Sequence, residues 1–168
     1  MINWQFFPKC KDASSLLKAV VRCFEDGEPE IASENHTCQS NEVLEHVRPY
    51  LERIGFRVET GRRMEQKIRV PVLFGLDGTP EKSFDVDAYH EGSKVVLEVE
   101  AGRGVLNHQF LKDFFEACIM SNVDYLVLAI RKIYGTRHDF EKVVTFFDTF
   151  YASGRMSIPL EGILVIGY

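Results

Sequence analysis

The chain has 168 residues, 45% hydrophobic and 27% charged, values of one ordinary globular domain that buries a core without disulfide or metal staples. That composition excludes a disordered tail, a collagen-like rod and a membrane-embedded bundle. Twenty Lys and Arg against 25 Asp and Glu leave a formal charge of −5, which excludes coating nucleic acid by bulk charge but leaves room for a local basic cleft.

Met1 to Pro8 lacks the basic and apolar regions of a signal peptide, and no stretch approaches the roughly 20 apolar residues of a membrane span. A cytoplasmic protein without a membrane partner is expected. Cys10, Cys23, Cys38 and Cys118 form no CxxC pair, and His36-Thr37-Cys38 is the nearest approach to zinc-ligand spacing; reduced thiols are the simpler reading. Leu16, Leu17, Val20 and Phe24 share one face of a helix over residues 12–25, capped by Asp12 or Ser14. Residues 25–40 are polar, acidic and aperiodic, which predicts a linker. The organisation expected is an N-terminal helix and linker over residues 1–40 and a main domain over 41–168.

Val43, Leu44, Val47, Leu51 and Ile54 predict a second helix from Asn41, kinked or restarted at Pro49 and ended by Gly55. Short strands follow over 56–59 and 67–74, the second demoted toward a sheet edge by Pro71. A loop over 75–82 leads into two alternating runs, Ser83–His90 and Lys94–Glu100, around Glu91-Gly92-Ser93, which reads as a hairpin. Phe110, Leu111, Phe114, Phe115, Cys118 and Ile119 mark a helix beginning near Asn107. Tyr125–Ile130 is continuously apolar, as a strand covered on both faces should be. Asp139 is expected to cap a helix through Tyr151 that closes at Gly154, and residues 160–168 form a last strand. The order predicts an α/β fold with a mixed central sheet flanked by helices.

Acids sit on strands that otherwise read as core. Asp85 and Asp87 share one strand face, and Glu98 and Glu100 share one face of the next. With a two-residue turn at Glu91-Gly92, Asp85 lies directly opposite Glu98 and Asp87 lies diagonal to it; a one-residue change would part the pairs. Opposed carboxylates repel, and a divalent cation removes the penalty. Mg²⁺ is held by one or two carboxylates with water and phosphate completing its shell, a chemistry suited to phosphoryl transfer. The alternative is a solvated surface paired with Lys and Arg of neighbouring strands.

In these residues the chain resembles the PD-(D/E)xK nuclease superfamily, whose signature is an Asp, a hairpin, (Asp/Glu)-x-Lys on the next strand, a helix and a further strand. Here those are Asp85 or Asp87, the Glu91-Gly92 turn, Glu98-Val99-Glu100, the helix over 107–121 and the strand over 124–130. The resemblance covers residues 41–168 and implies a restriction-endonuclease-like core. It implies Mg²⁺ or Mn²⁺ on Asp85 and Glu98, with Asp87 as the alternative first ligand. Glu100 stands where the family has Lys; a minority of restriction endonucleases carry Glu-x-Glu there. Glu100 then serves as general base or third ligand, or the site is inactive. The family also places a Glu of its first helix near the metal, for which Glu42 and Glu45 are the candidates.

Nucleic acid, DNA ahead of RNA, is the implied partner. Arg103 follows the Glu-x-Glu strand beside two glycines, and Gln109 and Lys112 lie on the next helix. Arg62, Arg63, Lys67 and Arg69 precede the hairpin, while Arg131, Lys132, Arg137 and His138 flank the end of the central strand, where open α/β sheets tend to bind ligands. His90 and His108 are read as structural or exposed. Three functions follow: a metal-dependent nuclease, a nuclease-fold binding or assembly module without catalysis, and a structural domain whose Phe-rich helices form a homodimer.

Overall fold

The computed structural model describes residues 1–102, 105 and 107–168. In chain order its elements are β1 (Asn3–Phe7), α1 (Ser15–Ile31), α2 (Ser40–Arg53), β2 (Arg57–Val58), β3 (Ile68–Phe74), β4 (Pro80–Val86), β5 (Ala88–His90), β6 (Val95–Glu100), α3 (Gln109–Ile119), β7 (Tyr125–Ile130), β8 (Ile133–Tyr134), β9 (Arg137–His138), α4 (Asp139–Ser153) and β10 (Gly162–Gly167). A central sheet runs β1-β10-β7-β6-β5-β2. Its middle strands β6, β7 and β10 are parallel, and β1, β5 and β2 join antiparallel at the margins. The fold is mixed α/β, with a mixed central sheet flanked by four helices among the described residues, as the order of elements predicts.

Alternation along the strands builds two cores. Val95, Leu97 and Val99 of β6 face α1 and α2 together with Val127, Ala129, Leu164 and Ile166. Val96, Leu126, Leu128, Ile163 and Val165 face α3 and α4, where Phe110, Phe114 and Phe147 close the layer. The parallel strands are thus covered on both sides, which is why β7 and β10 read as unbroken apolar runs.

Residues 1–40 are not set apart. Asn3–Phe7 pairs with β10 as an edge strand, and α1 continues through Gly27 and Pro29 to Ile31, with Phe24 and Ile31 buried against α2. Val43, Leu44, Val47 and Leu51 likewise keep α2 one element through Pro49; packing of an apolar face outweighs the local penalty. Ser14 caps α1, its Oγ accepting the Leu17 N–H at 3.3 Å. Asp139, expected as a cap, is instead the first residue of α4 and pairs with Arg137 at 3.3 Å.

The hairpin departs from expectation in its turn. A 3-10 turn at Glu91–Ser93, completed by Lys94 with φ 54°, sets His90 against Val95 and Ala88 against Leu97. The register has slipped by two residues, so side chains keep their face but change partner. Continuing that ladder one step puts Asp87 against Glu98. The strand also divides at Asp87: β4 leaves the central sheet and pairs with β3 in a separate ribbon. Val70 and Val86 tie that ribbon to the α3 side of the core, and Ser121 anchors it by donating its N–H to the Pro71 carbonyl at 2.8 Å.

Candidate functional site

The divided strand separates the two aspartates. Asp85 sits on the ribbon opposite Arg69, with Arg69 Nε 3.9 Å from its carboxylate and both side chains about half exposed (50% and 53%). It does not join Glu98, and the expected Asp85–Glu98 pairing is replaced by Asp87–Glu98. Asp87 occupies the break between β4 and β5, half-buried, and its Oδ2 accepts the Val99 N–H across the hairpin at 2.8 Å.

Glu98 and Glu100 project from β6 on the α3 side, in the same alternation as the buried Val96. There they meet Asp113, a residue the sequence reading left out. Asp113 lies on α3 between Phe110 and Phe114 and is 5% exposed. Its Oδ1 accepts from Gln109 Nε2 at 3.0 Å, while its Oδ2 is buried with no hydrogen-bond partner. The signal for it was present in the sequence: an acid inside the aromatic face of an amphipathic helix has to be satisfied by something.

Burial and mutual repulsion raise the proton affinity of all four acids. Asp87 is pushed up to about 7 by burial, against the Val99 hydrogen bond, with Glu59 and Asp113 adding to the rise. Glu98 is held well above the ordinary range by burial and then by the charges of Asp87 and Asp113. Burial takes Glu100 to about 8, helped by the charge of the neighbouring Asp113. Asp113 is raised chiefly by burial.

Two lysines border the cluster. Lys67 is bound to the buried Glu59 at 2.7 Å, and the Glu59 backbone N–H donates to the Asp87 carbonyl at 2.8 Å. Lys112 contacts Glu116 at 3.0 Å and Asp113 at 3.8 Å. Burial opposes its charge, yet Glu116, Asp113 and Glu98 keep its pKa above the usual value. Gln109, expected at nucleic acid, holds Asp113 through its Nε2. Glu42 caps α2 by accepting the Gln39 N–H at 2.6 Å. Glu45 is exposed and lines a cleft with Arg48 and Glu59. Arg103 lies outside the described residues. Among the basic candidates after β7, Lys132 is committed to Glu34 at 2.6 Å and Arg137 to Asp139.

Among the described residues, no group of three or more His, Cys, Asp or Glu side chains is placed to hold a metal ion on its own. The donor set nevertheless suits a hard cation: carboxylate oxygens alone, short of compensating charge, with the Asp113 Oδ2 lone pairs unclaimed. Mg²⁺ needs only one or two such carboxylates when water and phosphate supply the rest.

No protein-family model matches the chain, and no curated protein matches it. The crystal structure of free BglII, a restriction endonuclease, aligns with a TM-score of 0.48 and 7% identity over 99% of this chain and 78% of its own. Likeness of that extent carries no functional argument. No helix among the described residues is long and apolar enough to cross a membrane.

Proposed function

We propose that the chain is a metal-dependent nuclease that hydrolyses phosphodiester bonds, in DNA ahead of RNA. The observation that carries this reading is the gathering of Asp87, Glu98, Glu100 and Asp113 on one face of β5, β6 and α3, each with raised proton affinity. A fold gains little in stability from gathering four acids with raised proton affinity around one lysine contact, and such gatherings are concentrated at functional sites.

Asp87 and Glu98 are the residues to hold Mg²⁺ or Mn²⁺, which when bound would neutralise them and stabilise charge on the transferring phosphate. The Val99 N–H fixes the Asp87 carboxylate, and Gln109 fixes that of Asp113. Glu100 takes the place of the family's lysine as the proton acceptor for the attacking water. A carboxylate raised to about 8 is matched to that task at neutral to mildly alkaline pH. Lys112 contributes a cation beside Asp113 and Glu98.

A second reading, a nuclease-fold binding or assembly module without catalysis, is favoured by one observation: both amines at the cluster are already engaged, Lys67 by Glu59 and Lys112 by Glu116. A homodimer is supported by Phe115 and Ile119 of α3 and Leu73, Phe74 and Leu76 of the ribbon, all exposed. Incubating the chain with plasmid DNA and with RNA in Mg²⁺, Mn²⁺ or EDTA separates the readings. Metal-dependent cleavage is expected of the nuclease, and binding without cleavage at any pH from 6 to 9 would select the module.

A further inference from the structure

We infer that the cleft between the N-terminus of α2 and the end of β6 is a phosphate-binding subsite with Arg131 as its buried cation. The cleft has a volume of about 570 Å³, and Ser40, Asn41, Arg62, Arg131 and Tyr134 line it, with Glu100 at its acid-cluster side. That the phosphate belongs to a nucleic-acid strand rests on the nuclease reading; the anion site itself does not.

Arg131 is the decisive residue. It is 4% exposed, and its Nε is buried with no hydrogen-bond partner. One terminal nitrogen donates to the His36 carbonyl at 2.8 Å, and the guanidinium stands 5.6 Å from the Tyr134 ring centroid. Among the described residues no carboxylate lies within salt-bridge distance of it. A buried cation is costly unless an anion compensates it, and one carbonyl with one aromatic face leaves the charge and the Nε–H unanswered.

The opposite wall of the cleft offers the complementary groups. α2 spans fourteen residues, Ser40–Arg53, and the N–H groups of Ser40 and Asn41 in its first turn have no carbonyl within the helix to meet. The positive end of the helix dipole adds to them. The local structure is held in place: Ser40 Oγ accepts the Ala101 N–H at 3.1 Å, joining α2 to the chain just after Glu100. Arg62 supplies a second, exposed guanidinium. Backbone amides, a buried arginine and a surface arginine together make a recognition set for a phosphate oxyanion. Because Glu100 borders the cleft, the phosphate bound there would be a neighbour of the one at the reaction centre, whether a strand-terminal monoester or an internal diester.

The test is an NMR titration of the full-length, ¹⁵N-labelled chain with inorganic phosphate in EDTA. Saturable shifts are expected at the Ser40 and Asn41 amides and at the Arg131 Nε–H. Arg131→Lys should weaken the apparent affinity about tenfold, the scale of a lost charged hydrogen bond. Arg62→Ala, an exposed change that leaves the fold intact, should weaken it by a smaller factor. Absence of those shifts, or the same affinity in both variants, would overturn the inference. Deoxyoligonucleotides with a 5′-phosphate or a 5′-hydroxyl, added in the same buffer, tell the sources apart: preference for the first assigns a terminal monoester, equal binding an internal diester. Phosphate shifts without any nuclease activity would leave the subsite standing and remove the nuclease reading. Cleavage without those shifts would remove the subsite alone.

Discussion

Asp87 Oδ2 accepts the Val99 N–H at 2.8 Å across the β5–β6 hairpin, locking the first acid of the cluster to the strand that carries Glu98 and Glu100. The bond forms because the strand breaks at Asp87: β4 turns away to pair with β3, so a main-chain donor of β6 is left for a side chain to satisfy.

From that relationship Asp87 and Asp85 should behave oppositely. Asp87→Asn is expected to lower metal-dependent cleavage by about 10²-fold or more, the scale of losing a group that acts in the transition state. Asp85→Asn, on an exposed ribbon 3.9 Å from Arg69, should leave kcat/KM within about twofold, as exposed pairs contribute little. Single-turnover rates on one DNA substrate check both, and equal losses would return Asp85 to the site.

Glu98→Gln separates chemistry from stability. Cleavage should be lost, yet the metal-free variant should melt at a higher temperature than the parent, because the substitution removes a carboxylate held near Asp87 and Asp113. Circular dichroism melts in EDTA beside the cleavage assay give both readings. A variant that is less stable and equally active would contradict the assignment.

Stability of the metal-free chain should fall as pH rises. Asp87 and Glu100 titrate at about 7 and about 8 in the fold and near 4 when unfolded. Between those limits the folded state binds more protons than the unfolded one, so the free energy of unfolding decreases with pH. The contribution is complete below pH 4 and lost through pH 7–8. Thermal melts in EDTA from pH 5 to 9 should show the midpoint dropping by several degrees between pH 5 and 8 and levelling off above that, and a flat or rising profile would count against the raised affinities.

Lys67 is expected to be a structural partner. Replacing it with Met leaves Glu59 buried without its 2.7 Å hydrogen bond, at a cost of about 2 kcal/mol, and Lys67→Arg should recover most of that. Urea denaturation measures the difference. Cleavage lost in Lys67→Arg with stability intact would instead place Lys67 in the chemistry.

The sequence made the acids legible because strand alternation sets which side chains share a face, and an even register slip preserves it. What it could not give was the partner. The turn over Glu91–Ser93, closed by the left-handed Lys94, takes two more residues than a two-residue hairpin, and this moves Glu98 from Asp85 to Asp87. Asp113 was hidden by the Phe face around it, and Glu59 by the basic run that contains its partner Lys67. β1 carries little local signal because its role depends wholly on pairing with β10, 156 residues away in sequence at the register pair Phe7–Ile163. Helix α1 runs six residues past the expected end at residue 25, through Gly27 and Pro29 to Ile31, because the packing of its face on α2 outweighs local propensity.

The most direct measurement is an anomalous difference map from crystals of the full chain soaked in Mn²⁺ at pH 8, above the Asp87 titration at about 7. A peak bounded by the Asp87 and Glu98 carboxylates, absent in Glu98→Gln crystals, is the expected result. No peak there at millimolar Mn²⁺ would contradict a metal-dependent reaction at this cluster.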